Sequence, residues 1–302
     1  ELVEEFIVAT QEVFPGVIVQ FEDFANHNAF RLLRRYRDRV SCFNDDIQGT
    51  ASVAVAGILS ALRVTGKSIS EQTFLCLGAG EAATGISDLL VNAMIEDGTD
   101  EAAARARCWM VDSKGLVVAS RGELAEHKRP YAHAHAPVSD FIGAVKSLRP
   151  TAIIGVGAVP GTFTEEVVRE MSRINQRPVI FALSNPTSKA ECTAQQAYAW
   201  SDGRALYASG SPFDAVTLPD GRHFVPRQGN NSYIFPGLGL ALVVVGPTRV
   251  TDAMFLAAAR MLARCTTQAD LDQGSLFPPL STVRDVSARI AVDVAAIALR
   301  DG

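Results

Sequence analysis

The sequence predicts an α/β fold, built on a doubly wound, mostly parallel, Rossmann-like sheet and followed by C-terminal helices. Short apolar runs alternate along the chain with segments of helical periodicity, and the runs are continuous, as in strands buried on both faces. The 302 residues, 48% of them hydrophobic, suffice for a substantial core. The predicted strands are residues 17–21, 73–77, 107–111, 152–156, 178–183 and 205–208.

Helical patterns fill the segments between the strands and continue beyond the last strand. The predicted helices are residues 28–36, 49–62, 82–95, 165–174, 194–199, 251–265 and 283–297. The last two are expected to form a C-terminal helical cap. The apolar run 234–245 predicts the start of a buried helix. The chain opens inside an amphipathic helical pattern at residues 2–8, which we interpret as a piece of a longer protein.

Composition and charge exclude several classes of function. The net charge of -5, with no basic block, argues against nucleic acid as the main partner. No membrane span is predicted, because the longest apolar run, 234–245, is too short and contains Pro236 and Gly237. The scattered cysteines predict reduced packing thiols and a reducing compartment. We expect the cytoplasm, with an organelle as the alternative. The cysteines are Cys42, Cys76, Cys108, Cys192 and Cys265.

Two acidic pairs, Glu22-Asp23 and Asp45-Asp46, are the most informative feature of the chain. Each follows or precedes a predicted element boundary, and oxygen ligands of this type suit Mg²⁺ or Mn²⁺ in an open catalytic site. A structural interpretation is equally open at this point. Asn44 or Asp45 could cap the helix predicted at 49–62, and acidic residues at a strand end are often solvated.

The segment 73–85 has the order strand, glycine turn, helix start and contains the G-x-G-x-x-A form of the dinucleotide fingerprint. Gly78 would make the tight turn, Gly80 would let a diphosphate approach the backbone, and Ala83 would permit close packing of helix on strand. The alternative is a glycine turn in an ordinary βα unit. The strand-to-helix context favours a dinucleotide.

The next predicted strand ends at Asp112, an acid that could accept hydrogen bonds from the adenosine ribose. Ser113, Lys114, Lys128 and Arg129 offer donors and positive charge for a 2′-phosphate, which favours NADP over NAD. The alternative is that these lysines are solvated surface residues. The polar segment 96–107 is interpreted as a long connection between helix and strand.

Further polar or glycine-rich segments follow other predicted strands. The run 155–161 could pass beneath the cofactor or form a plain turn, and the amides in 184–187 and 229–232 could hold a carboxylate and a ribose or serve in turns. His133 and His135 form an H-x-H that we interpret as a surface loop rather than a metal pair.

Taken together, the motifs closely resemble those of the malic enzymes, and the likeness runs through essentially the whole chain. The residues that carry it are 21–24, 43–50, 78–83, 184–188, 210–213 and 230–237, and residues 111–116 with 128–133 look most like the NADP-using members. The resemblance implies that residues 1–302 are the NAD(P)-binding domain with the metal motifs at its N-terminal end. It also implies a separate N-terminal catalytic domain outside this chain.

The resemblance also implies roles for individual residues. The metal ligands would be Glu22, Asp23 and Asp46, with Asp45 beside them as a catalytic residue that supports the family's lysine. The malate or cofactor contacts would be Asn185, Asn230 and Asn231. The cofactor-binding residues would be Asn26, Gly78, Ala79, Gly80, Glu81, Ala82, Asp112, Ser113, Lys114 and Lys128.

The implied reaction is the oxidative decarboxylation of malate. Hydride leaves C2 for the nicotinamide of NADP, or of NAD, and Mg²⁺ or Mn²⁺ polarises the resulting ketone and eases loss of CO₂, with pyruvate as product. The family's acid tyrosine and base lysine have no match in this chain, and family members are usually homodimers or homotetramers. Val159-Pro160 departs from the family's glycine-rich pattern. Two rival functions are a metal-independent 2-hydroxy-acid or amino-acid dehydrogenase and a non-catalytic nucleotide-binding fragment.

Overall fold

The computed structural model describes residues 2–301, apart from the side chains of residues 26 and 27. The strands in this part of the chain are β1 (Val19–Phe21), β2 (Cys42–Asn44), β3 (Phe74–Leu77), β4 (Cys108–Asp112), β5 (Gly115–Leu116), β6 (Ala152–Gly155), β7 (Val179–Ala182), β8 (Leu206–Ser209), β9 (Val216–Thr217) and β10 (His223–Phe224). The α-helices are α1 (Leu2–Val13), α2 (Asn26–Tyr36), α3 (Thr50–Thr65), α4 (Glu81–Glu96), α5 (Glu101–Arg105), α6 (Phe141–Leu148), α7 (Glu165–Ile174), α8 (Ala194–Trp200), α9 (Phe235–Val245), α10 (Asp252–Cys265), α11 (Gln268–Asp272) and α12 (Val283–Asp301).

The main sheet has six strands in the order β5-β4-β3-β6-β7-β8. All neighbours are parallel except β5, which pairs antiparallel with β4 at one edge. The chain moves outward from β3 in one direction to β4 and in the other to β6, so the crevice between β3 and β6 is the topological switch point. This confirms the predicted fold class.

Both faces of the main sheet are buried, as the continuous apolar runs predicted. Phe74, Cys76 and Ile154 point to one face and join a core with α3, α4, α10 and α12. Leu75 and Ile153 point to the other face and pack with α6, α7 and α8. The alternation of side chains along each strand therefore distributes apolar groups to two helical layers.

The predicted strand at 17–21 is not part of the main sheet. It forms β1, which pairs in parallel with β2 in a separate two-stranded sheet. The sequence did not reveal β2, because three residues between a helix and a turn leave no apolar run to detect. This small sheet determines where the acidic pairs lie.

Other differences concern short or polar elements. The predicted connection at 96–107 contains α5, which Asp100 caps by accepting hydrogen bonds from the N–H groups of Ala102 and Ala103. The helix α6 was missed, whereas the run 234–245 does form a helix, α9. The helical segment Asp45–Thr65 is apolar and long enough to cross a membrane. However, 78% of its most apolar stretch is buried inside the protein, so packing in the core accounts for its composition.

The predicted role of the cysteines as reduced packing thiols is confirmed. All five cysteines are free thiols, and four of them are buried. Met254 and Phe255 are buried in α10, and Met261 packs against the same core. His133, in the segment that was predicted to be a surface loop, is half-buried: its ring lies against Trp109 with the centroids 4.5 Å apart and contacts the carbonyl oxygen of Cys108.

Candidate active site

Two acidic pairs meet at one end of the small sheet. Because β1 and β2 are parallel and in register, the residues that follow them, Glu22-Asp23 and Asp45-Asp46, leave the sheet at the same edge. The backbone N–H of Asp23 donates a hydrogen bond to Oδ2 of Asp46 at 2.8 Å. Asp23 has a left-handed backbone with φ of +58°, which Asp tolerates better than most residues. The fold thus brings together pairs that are distant in sequence.

One wide helical turn, Asp45–Gly49, connects β2 to α3. The side-chain oxygen of Asn44 accepts a hydrogen bond from the N–H of Ile47 at 2.8 Å, and the N–H of Asn44 donates to Oε1 of Gln48 at 3.0 Å. Asn44 is therefore the N-cap, and Asp45 does not serve in that role. Wide turns of this kind occur frequently at functional sites.

Asp45 is fully buried and contacts a residue far along the chain. Its Oδ2 accepts a hydrogen bond from Nδ2 of Asn231 at 2.5 Å, whereas Oδ1 has no hydrogen-bond partner within the described residues. A Cβ atom on Gly49 would lie 1.9 Å from Oδ1, so only glycine leaves room for this carboxylate. Burial, followed by the charges of Glu22 and Asp46, raises the pKa of Asp45 to about 7, although the bond from Asn231 lowers it.

Glu22, Asp23, Asp45 and Asp46 form an acidic cluster. Glu81, the first residue of α4, extends this cluster toward the loop Gly78–Gly80, the predicted dinucleotide loop. Burial, followed by the charge of Asp46, raises the pKa of Glu81 to about 7. The close approach of α4 depends on Gly85, because a Cβ atom there would lie 2.4 Å from the carbonyl oxygen of Ile47. Sequence reasoning did not single out Gly85. Its position five residues after Gly80, inside a helix, was the available signal.

The acidic cluster suits a hard divalent cation by its chemistry. Glu22, Asp23, Asp45 and Asp46 supply oxygen atoms only, and the buried Oδ1 of Asp45 has no hydrogen-bond donor within the described part of the chain. Yet among the described side chains no three acidic, histidine or cysteine groups already stand at the spacing of metal ligands. The assignment of Glu22, Asp23 and Asp46 as ligands therefore stays a prediction.

The dinucleotide loop lies at the switch point of the main sheet. Gly78 has φ of +120°, and a Cβ atom there would lie 3.0 Å from the backbone nitrogen of Gly157. Gly78, Ala79 and Gly80 line one side of a cleft of about 550 Å³, and Ala82 lies in the first turn of α4. Backbone N–H groups at the start of a helix in this position are suited to bind a diphosphate.

Asp112 and Lys128 lie together in the same cleft, but they bind each other. Nζ of Lys128 donates to Oδ2 of Asp112 at 2.7 Å, and Arg121 donates to both carboxylate oxygens at 3.0 Å. Burial acts to raise the pKa of Asp112, but the hydrogen bonds from Arg121 and Lys128 outweigh it and lower the pKa to about 2. Ser113 lines the cleft, and Lys114 is exposed beside it. Sequence reasoning missed Arg121, which carries no motif of its own.

His127 is a second residue of this cleft that the sequence did not reveal. Its Nε2 lies 3.0 Å from the carbonyl oxygen of Ala79, and its ring stacks on Phe30 of α2 with the centroids 4.7 Å apart. Burial lowers the pKa of His127, which favours the neutral imidazole. The residue before Lys128 thus ties the predicted 2′-phosphate segment to the dinucleotide loop.

The amide residues differ in their surroundings. Asn185 is exposed in the loop that follows β7, at the carboxyl edge of the main sheet where substrates bind in this fold. Oδ1 of Asn230 accepts a hydrogen bond from the N–H of Ser232 at 2.9 Å, which is a turn role, whereas Asn231 contacts Asp45. The predicted contact of Asn26 lies outside the described side chains.

Comparison with known families identifies two matching regions. The family described as "Malic enzyme, NAD binding domain" matches residues 47–299, and the family described as "Malic enzyme, N-terminal domain" matches residues 1–37. The boundary between the two matches falls at β2, next to the acidic cluster.

Individual relatives are similar over nearly the whole chain. The NADP-dependent malic enzyme of Rattus norvegicus is 52% identical over 292 residues, which cover 96% of this chain and 51% of the relative. The mitochondrial NADP-dependent malic enzyme of Homo sapiens is 52% identical over 295 residues, which cover 97% of this chain and 49% of the relative. The chain thus spans about half the length of the curated relatives it matches.

Solved structures agree in fold. The malic enzyme of Entamoeba histolytica superimposes with a TM-score of 0.79 at 27% identity, covering 99% of this chain and 57% of that protein. The malic enzyme of Pyrococcus horikoshii gives a TM-score of 0.77 at 26% identity, covering 99% of this chain and 65% of that protein.

Proposed function

The chain belongs to the malic enzyme family, and from this premise we propose that it forms the metal- and cofactor-binding part of an enzyme that converts malate to pyruvate and CO₂ with NADP. In the balanced reaction, hydride leaves C2 of malate for the nicotinamide and the C2 hydroxyl loses its proton. The bond from C3 to the adjacent carboxylate then breaks to release CO₂, and C3 gains a proton.

The contact between Asp45 and Asn231 is the observation that carries this proposal. It joins the acidic turn after β2 to the amide pair before α9, while the close packing of Gly85 on Ile47 joins the same turn to the helix that starts at the dinucleotide loop. A domain that only binds a dinucleotide needs no buried carboxylate there, since burying an acid is costly unless a charge or donor compensates it.

The chain's own residues would act mainly by placing the reactants. The loop at Gly78–Gly80 and the start of α4 would hold the diphosphate, and Asn185 and Asn231 would orient malate through hydrogen bonds to its oxygen atoms. Glu22, Asp23 and Asp46 would hold the divalent cation. Such a cation, when bound, supplies Lewis-acid polarisation of substrate oxygen atoms.

The preference for NADP rests on the positive charge around Asp112. Arg121 and Lys128 together exceed the single charge of the carboxylate they share, and exposed Lys114 adds a third positive charge beside the cleft. A 2′-phosphate placed there would meet a net positive field, whereas the unphosphorylated ribose of NAD would gain less. The curated relatives described above carry NADP in their names.

The same proposal includes assembly as a homodimer or homotetramer. It also includes a proton-transferring tyrosine and a lysine that come from another part of the protein. The family resemblance supports them. The proposed Asp45 role depends on that lysine, whose ammonium group would relieve the raised pKa of the buried carboxylate.

The test is turnover of the full-length protein with malate, NADP and Mn²⁺, following NADPH and pyruvate together. We expect equal amounts of both products, loss of turnover in excess chelator and recovery on adding Mn²⁺. Turnover that persists in chelator would favour a metal-independent 2-hydroxy-acid or amino-acid dehydrogenase. NADPH binding without any turnover would favour the non-catalytic nucleotide-binding alternative.

A further inference from the structure

Glu191 is a fully buried carboxylic acid outside the residues assigned above. It lies between the short turn Thr187–Lys189 and α8, beneath the loops that follow β6 and β7. Burial raises its pKa, and hydrogen bonds from Ser184 and from main-chain N–H groups, including that of Gly157, act against burial. A buried acid held by neutral donors is costly, so a specific role is expected to offset the cost.

Ser184 links Glu191 to the neighbouring loop. The Ser184 hydroxyl donates to Oε1 of Glu191 and accepts a hydrogen bond from the N–H of Ala158 at 2.9 Å. The backbone N–H of Ser184 also faces Oε2 of Glu191 at 3.4 Å. A continuous chain of hydrogen bonds therefore runs from the loop after β6, through the loop after β7, to Glu191.

The main chain around Glu191 reinforces this link. The N–H of Phe163 donates to the carbonyl oxygen of Glu191 at 3.0 Å, and the N–H of Gly161 donates to that of Ala190 at 3.1 Å. A Cβ atom on Gly155 would lie 2.3 Å from Cδ of Glu191, so the acid packs directly against the backbone of β6 at Gly155. The two loops are thereby packed as one unit.

Each loop faces one of the two reactants of the proposed function. Val156, Gly157 and Val159 line the dinucleotide cleft, and Asn185, the neighbour of Ser184, is predicted to hold malate. Hydride transfer requires the reacting atoms to be about 3–3.5 Å apart, and a shift of about 1 Å can slow a reaction by about 10²-fold. The relative position of these loops is therefore a determinant of rate.

We propose that Glu191 is a positioning residue that fixes the loop carrying Asn185 to the loop beneath the cofactor, and so sets the distance between malate and nicotinamide. This inference rests on the proposed function. It distinguishes Glu191 from the acids of the metal cluster, because Glu191 acts through Ser184 and Gly157 and does not touch a reactant.

The test compares Glu191→Gln, Ser184→Ala and the double variant in the full-length protein, with Glu166→Gln on the exposed face of α7 as the matched control. In Glu191→Gln an amide NH₂ group replaces one carboxylate oxygen. A donor then faces a donor, because the backbone N–H groups around Glu191 lose one of their two acceptors. We expect kcat to fall by about 10²-fold while NADPH affinity changes less, because Glu191 lies beneath the loops after β6 and β7 whereas the diphosphate would be held by the loop after β3. The isotope effect with malate deuterated at C2 should increase, since hydride transfer becomes slower.

Ser184→Ala should reproduce these effects, and the double variant should lose no more than the worse single variant, because both changes break one unit. If Glu191→Gln does not fold, Ser184→Ala carries the test, since it removes only a hydroxyl group. If the wild-type protein is active and the variants keep its kcat and isotope effect, the positioning role of Glu191 is overturned, even if the variants melt at a lower temperature. Wild-type protein that cannot oxidise malate would instead contradict the proposed function.

Discussion

Asn231 donates a hydrogen bond to Oδ2 of Asp45, a residue 186 positions earlier in the chain. The contact connects the turn Asp45–Gly49, which precedes α3, with the turn Asn231–Tyr233, which precedes α9. Because Asp45 is buried and its second oxygen has no hydrogen-bond partner in the described residues, this one amide fixes the orientation of the carboxylate. The acidic cluster depends on it for its geometry.

Gly49→Ala should disturb the acidic cluster directly. The added methyl would lie 1.9 Å from Oδ1 of Asp45, so the carboxylate must move away from Asn231. We expect loss of malate turnover and destabilisation of about 1–3 kcal/mol, measured by urea unfolding. Gly239→Ala in α9 is the control, because outside its own helix backbone a methyl there would meet no atom of the described residues within 4 Å. A Gly49→Ala variant as active as Gly239→Ala would mean that Asp45 is not needed in this position.

Asp46→Ala should remove the dependence on divalent metal. Asp46 accepts the hydrogen bond from Asp23 and is half-buried beside Asp45, so its loss should weaken Mn²⁺ binding and abolish malate turnover while the fold stays intact. Calorimetric titration with Mn²⁺ and turnover measurements check this. Asp38→Ala, a surface acid paired with Arg249, should leave both unchanged. Near-normal turnover of Asp46→Ala at saturating Mn²⁺ would refute the ligand assignment.

Replacing Lys114 and Lys128 by glutamine should weaken NADP binding far more than NAD binding. Each charged phosphate contact is worth about 1.5–3 kcal/mol. Lys128 lines the cleft and Lys114 lies exposed beside it, so Lys128→Gln should have the larger effect. Fluorescence titrations with both reduced cofactors measure the difference, with Lys146→Gln on α6 as the control. Equal losses for the two cofactors would exclude a 2′-phosphate site here.

The ion pairs of Asp112 should contribute to stability above its ordinary pKa and lose that contribution in acid. The pKa is lowered in the folded protein from 3.8 to about 2, so the contribution is complete above pH 3.8 and falls as the pH decreases toward 2. Asp112→Asn should therefore melt below wild type at pH 7, and the gap should narrow as the pH falls through this range. Exposed Asp214→Asn is the control. A difference in melting temperature between Asp112→Asn and wild type that stays constant with pH would contradict the strength of these ion pairs.

The isolated 302 residues should bind NADPH but fail to decarboxylate malate. The proposed acid and base come from another part of the protein, and losing positioned proton-transfer groups typically costs about 10²–10⁴-fold each. Fluorescence titration and a coupled assay for NADPH and pyruvate, with malate, NADP and Mn²⁺, test the two halves of this expectation. Robust turnover would place the acid and base within this chain.

The sequence alone determined the sheet, the long helices and the identity of the site motifs. Continuous apolar runs, the G-x-G-x-x-A turn and helical periodicity are local signals, because strand, turn and helix each depend on neighbouring residues. The acidic pairs, the amide residues and the glycine loop were therefore recognisable in advance, and the resemblance of the ordered motifs indicated the family.

Only the tertiary structure decided which of these residues meet. The parallel pairing of β1 with β2 places Asp23 on Asp46, Asn231 reaches Asp45 from the far end of the chain, and Arg121 and Lys128 share Asp112. Such contacts depend on how distant segments of the chain pack. The close approach of Gly85 to Ile47, for example, is set by the contact distance between atoms, and it leaves no periodic pattern in the sequence. For the same reason Glu191, an ordinary acid in the sequence, became a candidate only when its burial between two loops was known.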